Sequence, residues 1–150
     1  MSPWNRTPGL VATLLLAGLA ACAGERAADA DPSAGATMVP TVEILSPVEG
    51  DTVSLPFTVR LRADGLTIVA ATGIRQEGEG HHHLVIGPEF PAADLPIPGG
   101  PGYIHMGSGV SEWSIDSLPP GPHRIIAVLA WGDHVPVTSA EADTVNIVVR

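Results

Sequence analysis

The chain has 150 residues, with seven arginines, no lysine and sixteen acidic residues, a formal charge of −9. This balance excludes a nucleic-acid binder, which needs a cationic face to displace counterions. With 45% hydrophobic and only 15% charged residues, it also excludes a charge-driven disordered chain, and the length suits one domain.

Residues 1–21 are expected to form an export signal. Arg6 and the amino terminus give a positive start, and residues 10–19 (LVATLLLAGL) form an apolar core too short for a membrane span of about 20 residues. The following Leu19-Ala20-Ala21-Cys22 resembles the bacterial lipobox, which implies lipidation of Cys22. Two or three acyl chains there would anchor the chain well beyond the marginal hold of a single chain. Ala23 after the cysteine, by the sorting rule of enteric bacteria, favours the outer over the inner membrane, on the periplasmic face. Removing the signal takes away Arg6 and leaves six bases against sixteen acids, about −10. That charge suits attachment through Cys22 better than adsorption to anionic lipid. Residues 22–39 turn to Ala, Gly, Asp, Pro and Ser with no apolar period, as a flexible tether does.

From residue 40 the apolar residues recur at every second position in short runs. Val42 and Ile44 open the first, closed by Glu49-Gly50-Asp51. Residues 53–66 give the second, with Val59 and Leu61 alternating against Arg60 and Arg62. Residues 81–86, 113–118, 123–131 and 144–149 supply the others, and the run of Ile125, Ile126, Val128 and Leu129 predicts a strand buried on both faces. No segment carries the i, i+3, i+4 pattern of a helix. With 17 glycines and 15 prolines spread along the chain, residues 40–150 are expected to fold as an immunoglobulin-like β-sandwich of about seven strands. Two segments, 67–80 and 87–102, read as long loops, the second an extended or Ω-like cover over the surface.

The single cysteine excludes a disulfide framework or a multi-cysteine zinc cage, and six histidines, all between positions 81 and 134, carry what chemistry the chain displays. His81, His82 and His83 enter a strand continued by Leu84-Val85-Ile86. Alternation puts His81 and His83 on one face and His82 on the other, and two imidazoles at i and i+2 can share a transition-metal ion. His105, His123 and His134 are the expected further ligands, with His82, Met106 and Asp133 as additional contacts. Thioether sulfur at Met106 would draw copper in its Cu(I) state, imidazoles alone copper or zinc. The alternative is structural: histidines at strand ends cap backbone groups, and His82 would be a sixth contact or a core-facing hydrogen bonder. Trp113, Trp131 and Tyr103 are either a sugar-stacking platform or core. Gly107-Ser108-Gly109 lacks the pattern of a nucleophile elbow, and residues 99–109 lack the lysine of a phosphate loop.

Gly80-His81-His82-His83-Leu84-Val85-Ile86 resembles the G-H-H-H-L signature of an exported bacterial family, domain of unknown function 4399. Further blocks match in order: residues 91–98 (PAADLPIP), His105-Met106-Gly107-Ser108-Gly109, Leu118-Pro119-Pro120-Gly121-Pro122-His123 and Asp133-His134-Val135-Pro136. Tyr103 and Val137 stand where members of that family often carry additional histidines. The resemblance implies export and metal binding without an established activity. The expectation is therefore a non-enzymatic, lipid-anchored domain that binds copper or zinc and has no nucleic-acid partner. A structural or protein-interaction module of the cell envelope, its protein partner unknown, is the competing reading.

Overall fold

The computed structural model describes residues 38–150; the expected signal, Cys22 and the tether up to residue 37 lie outside the described residues. Nine strands follow in order: β1 (Thr41–Ser46), β2 (Thr52–Val53), β3 (Phe57–Asp64), β4 (Thr67–Ile68), β5 (Glu79–Ile86), β6 (Tyr103–Met106), β7 (Glu112–Ile115), β8 (Gly121–Ala130) and β9 (Asp143–Val149). Seven of them are four residues or longer; β2 and β4 are two-residue pairings. Among the described residues no helix is long and apolar enough to cross a membrane.

The strands form a three-stranded sheet, β1-β3-β7, and a six-stranded sheet, β2-β9-β8-β5-β4, with β6 also on β5. β1, β3 and β7 occupy the places of strands A, B and E of an immunoglobulin sandwich, and β5, β8 and β9 those of C, F and G. The expected all-β, immunoglobulin-like architecture is therefore present. Alternation is its cause: Val59 and Leu61 are buried while Arg60 and Arg62 point outward. Val42, Ile44, Val59, Leu61 and Ile115 of the first sheet meet Leu84, Ile86, Ile125, Ala127, Leu129, Val145 and Ile147 of the second in one apolar core. Removing such side chains from water is the main favourable term, about 25 cal/mol per Å² of apolar surface.

The other residues of β5 and β8 build a second, smaller cluster. Val85, Ile126, Val128 and Ala130 lie on the outer face of the six-stranded sheet, covered by Ile97 with Tyr103 at its margin. This is why β8 reads as apolar on both faces, and why residues 87–102, expected as a surface cover, contain a buried Ile97. The structure departs from the sequence reading at β6 and β4, which pair with β5 inside or beside segments expected to be loops. Both are too short for a two-residue period to show. Gly80, the first residue of the triple-histidine motif, has a steric reason: a Cβ there would sit 2.6 Å from the Ala130 carbonyl oxygen and 2.6 Å from Leu66 Cδ2.

Candidate metal centre

β5 carries His81, His83 and Val85 toward the outer face and His82, Leu84 and Ile86 toward the core, as the strand period requires. All three histidines are buried, at 0%, 0% and 3% exposure, an uncommon state for polar rings without partners. Register fixes what stands beside them. His83 pairs with His105 on β6, and His81 pairs with Ala130 at the end of β8. The chain then turns through Trp131, Gly132 and Asp133 and brings His134 back over His81.

That turn is built tightly. The Trp131 carbonyl accepts from His134 N at 2.9 Å, the Val135 carbonyl from Trp131 N at 2.9 Å, and the His134 carbonyl from Ile97 N at 2.8 Å. Gly132 allows the close approach of residues 73–74: a Cβ on it would overlap the Ile74 carbonyl oxygen. His134 itself has φ of 68°, the left-handed region, which costs a non-glycine residue roughly 1–2 kcal/mol. Such strain persists where the surroundings over-determine it, and here the three backbone bonds and the sheet end do so.

Four imidazoles meet as a result. The Nε2 atoms of His81 and His83 are 2.9 Å apart, and those of His134 and His105 are 3.2 Å apart. Ring centres are separated by 4.8 Å for His81–His83, 5.0 Å for His81–His105, 5.1 Å for His81–His134 and 5.0 Å for His83–His105. They are 5.9 Å apart for His83–His134 and 4.7 Å for His105–His134. One nitrogen from each of His81, His105 and His134 can be chosen so that all three lie within 4.8 Å of one another, an arrangement that could hold a metal ion. His81 and His83 are the buried side; His105 is exposed and His134 half-buried.

Electrostatics keep the buried rings neutral. Burial first, then the electrostatic influence of His105, His134 and His82, lowers His81 to about 4. Burial first, then charge on His81, His105, His134 and His82, lowers His83 to about 3. His105 is also held below the usual histidine value, by desolvation and then by His134. Neutral imidazole is the form that binds metal.

The remaining sequence candidates do not join this cluster. His123 lies near the opposite end of β8, about seven residues from Ala130 and therefore about 23 Å away along the strand. Its Nε2–H donates to the Pro119 carbonyl at 2.7 Å. Met106 is fully buried in the main core, on the face of β6 opposite His105. His82 likewise faces the core, and its Nδ1 lies 3.1 Å from the Val110 carbonyl oxygen. Burial lowers its pKa, with the Val110 bond acting in the other direction. Asp133 is occupied: Oδ2 accepts from Arg75 Nε at 3.1 Å and Oδ1 from Val135 N at 3.2 Å. Nor do the aromatic residues make one platform. Trp113 is on β7 of the other sheet, Tyr103 borders the outer apolar cluster, and Trp131 carries the Arg75 guanidinium 5.9 Å from its ring centre.

Gly107 is the residue that sequence reasoning missed. A Cβ there would overlap Cε1 and Nε2 of His105, so the ring lies directly on the Gly107 backbone. Its sequence signal is its place in the His105-Met106-Gly107-Ser108-Gly109 block, two residues after the histidine.

No curated protein matches the chain. Among solved structures it is similar to the fibronectin(III)-like modules of Clostridium thermocellum CbhA, at 15% identity and a TM-score of 0.42, over 74% of this chain and 46% of that one. An engineered protein is similar at the same identity and TM-score, over 74% of this chain and 20% of that one. The chain thus spans less than half the length of these neighbours. A family profile described as "Domain of unknown function (DUF4399)" matches residues 59–150, from the alternating strand β3 through all four clustered histidines to the last residue, and the chain belongs to that family.

Proposed function

We propose that the protein is a lipid-anchored, extracytoplasmic, non-enzymatic domain that binds a transition-metal ion, zinc or copper, through His81, His83, His105 and His134. One observation carries the reading: the near-equal spacing of the four rings. A metal–nitrogen bond of about 2.0–2.1 Å, plus about 1.1 Å to the ring centre, puts tetrahedrally bound imidazole centres about 5.2 Å apart. The six separations of 4.7–5.9 Å lie around that value, and the two Nε2 pairs approach the tetrahedral edge of about 3.3 Å expected from the same bond length. The rings meet at interplanar angles from 32° to 83° and so do not form a stack. The strained His134 backbone supports the same reading, since strain is stored where a side chain must be aimed.

Four imidazole nitrogens drawn into a tetrahedron around an ion would suit d¹⁰ Zn(II) and Cu(I) better than Cu(II), which favours tetragonal geometry. With His83 as the fourth ligand the shell would be filled, the property of closed rather than catalytic sites, and this supports binding without turnover. The structural reading is favoured only at His82 and His123, each paired with a backbone carbonyl.

The test is titration of the full chain with Zn(II), Cu(I) and Cu(II). One equivalent of Zn(II) or Cu(I) is expected to bind more tightly than micromolar, with His123→Ala unchanged. Absence of saturable binding at that level would overturn the proposal. The anchor is tested separately: Cys22→Ser should move the protein from the membrane to the soluble fraction, and a variant still fully membrane-bound would exclude lipidation at Cys22. The sequence order of apolar core, small residues and Cys22 supports that anchor, with the outer membrane favoured by Ala23.

A further inference from the structure

The middle histidine of the motif is left outside the metal set, yet it is fully buried. A carbonyl oxygen can only accept, so the 3.1 Å contact with Val110 O requires the proton on His82 Nδ1. Nε2 is then a lone pair without any hydrogen-bond partner among the described residues, in a strand position flanked by Met106 and Leu129. A buried ring that leaves one nitrogen unsatisfied is costly, so the bond it does make calls for a reason.

We infer that His82 is a positioning residue for the metal centre on the opposite face of its strand, acting through the Val110 carbonyl and the Gly107 seat of His105. The inference rests on the metal-binding reading of the four-histidine cluster. The turn from Gly107 to Ser111 leaves β6 directly after His105 and Met106. Its two ends are tied by backbone bonds, Ala71 N to the Gly107 carbonyl at 2.9 Å and Leu61 N to the Ser111 carbonyl at 2.8 Å. Between them the Val110 carbonyl is tied by the His82 side chain at 3.1 Å, while the Val110 side chain is exposed. The start of the same turn is the surface on which the His105 imidazole rests, since a Cβ on Gly107 would overlap that ring. His105 is the exposed member of the metal set, so the protein interior restrains it least, and a shift of the turn changes its seat directly. Consecutive histidines therefore divide the work: His81 and His83 bind, and His82 fixes the floor under a third ligand.

The experiment compares His82→Phe, which keeps ring volume without a donor, with His82→Asn, whose amide can donate to the same carbonyl, using Co(II) and Zn(II) as probes on the full chain. Loss of an orienting partner typically costs about 10–100-fold in metal affinity. His82→Phe is expected to fall in that range and to change the Co(II) visible bands as His105 leaves the coordination shell. His82→Asn should stay near the wild-type affinity, and Gly107→Ala should reproduce the phenylalanine variant without adding to it in the double variant. A folded His82→Phe with unchanged affinity and bands would overturn the inference, as would His82→Asn as weak as His82→Phe. Should His82→Phe fail to fold, ¹⁵N spectra of the wild type decide: an Nε2–H tautomer at His82 overturns the assignment. If wild-type protein binds none of Co(II), Zn(II) and Cu(I), the metal reading falls by itself. Positioning is then judged in metal-free protein, where His105 ring resonances should move in His82→Phe and stay in His82→Asn; no movement overturns it.

Discussion

Replacing His81 and His83 together is expected to remove ion-dependent stabilisation of the domain. A ligand that binds only the folded state adds RT ln(1 + [L]/Kd), which is about 2.7 kcal/mol at 100 times Kd. For a domain of this size that corresponds to a rise in Tm of about 10 °C, taking about 4 °C per kcal/mol. His81→Phe/His83→Phe keeps the rings' volume on β5 and removes half of the donors, leaving only His105 and His134, whose Nε2 atoms are 3.2 Å apart. The zinc-dependent rise should then vanish, with affinity reduced by at least about a thousandfold, since a structural tetrahedral site holds its ion through four protein ligands. The metal-free Tm of the variant will shift as well, because a 2.9 Å hydrogen bond between buried rings is lost and such bonds contribute about 1 kcal/mol net. The decisive quantity is therefore the increment on adding zinc, read by thermal melts with and without the ion. A phenylalanine variant that keeps the wild-type increment would sink the four-histidine centre.

The sandwich was legible where the strand period is uninterrupted. Val59-Arg60-Leu61-Arg62 alternates cleanly in β3, and the continuous apolar run of β8 signals two buried faces. It was not legible in β6. There Tyr103 and His105 face outward while Met106 enters the core, over only four residues and directly after a Gly/Pro-rich stretch. The centre divides in the same way. That His81 and His83 share a face follows from a period of two, which is local. That His105 and His134 join them depends on the β5–β6 register and on the turn at the end of β8, which are tertiary facts. His123 shows the limit most directly. It lies on the same strand that delivers the chain to His134, but the antiparallel register sets Ala130 opposite His81 and carries His123 to the far end. A list of histidines contains no register. The role of His82 stayed open for a similar reason, since its partner is the carbonyl of Val110, 28 positions away.

Acid is expected to unfold the metal-free domain through the same two rings. In the folded state burial holds His81 at about 4 and His83 at about 3, against about 6.5 for an exposed histidine. The unfolded chain therefore binds more protons than the folded one below pH 6.5, and stability must fall as pH falls. The contribution is fully present above about pH 6.5 and is lost progressively toward the folded-state values. Well below 6.5 each ring removes up to about 1.4 kcal/mol per pH unit, so the pair removes up to about 3 kcal/mol per unit. Against a typical total of about 5–15 kcal/mol, this is enough to bring the transition into the range of about pH 4–5. Urea unfolding between pH 7.5 and 4.5 measures the slope, and His81→Phe/His83→Phe should flatten most of it; an equal slope in both proteins would assign acid sensitivity elsewhere. The same values bear on the pH dependence of ion binding. Free imidazoles would release an ion as pH falls through about 6, but protons compete at the folded-state affinities. His81 and His83 stay available as ligands well below that point, so metal retention at pH 5.5 separates this buried pair from a set of surface histidines.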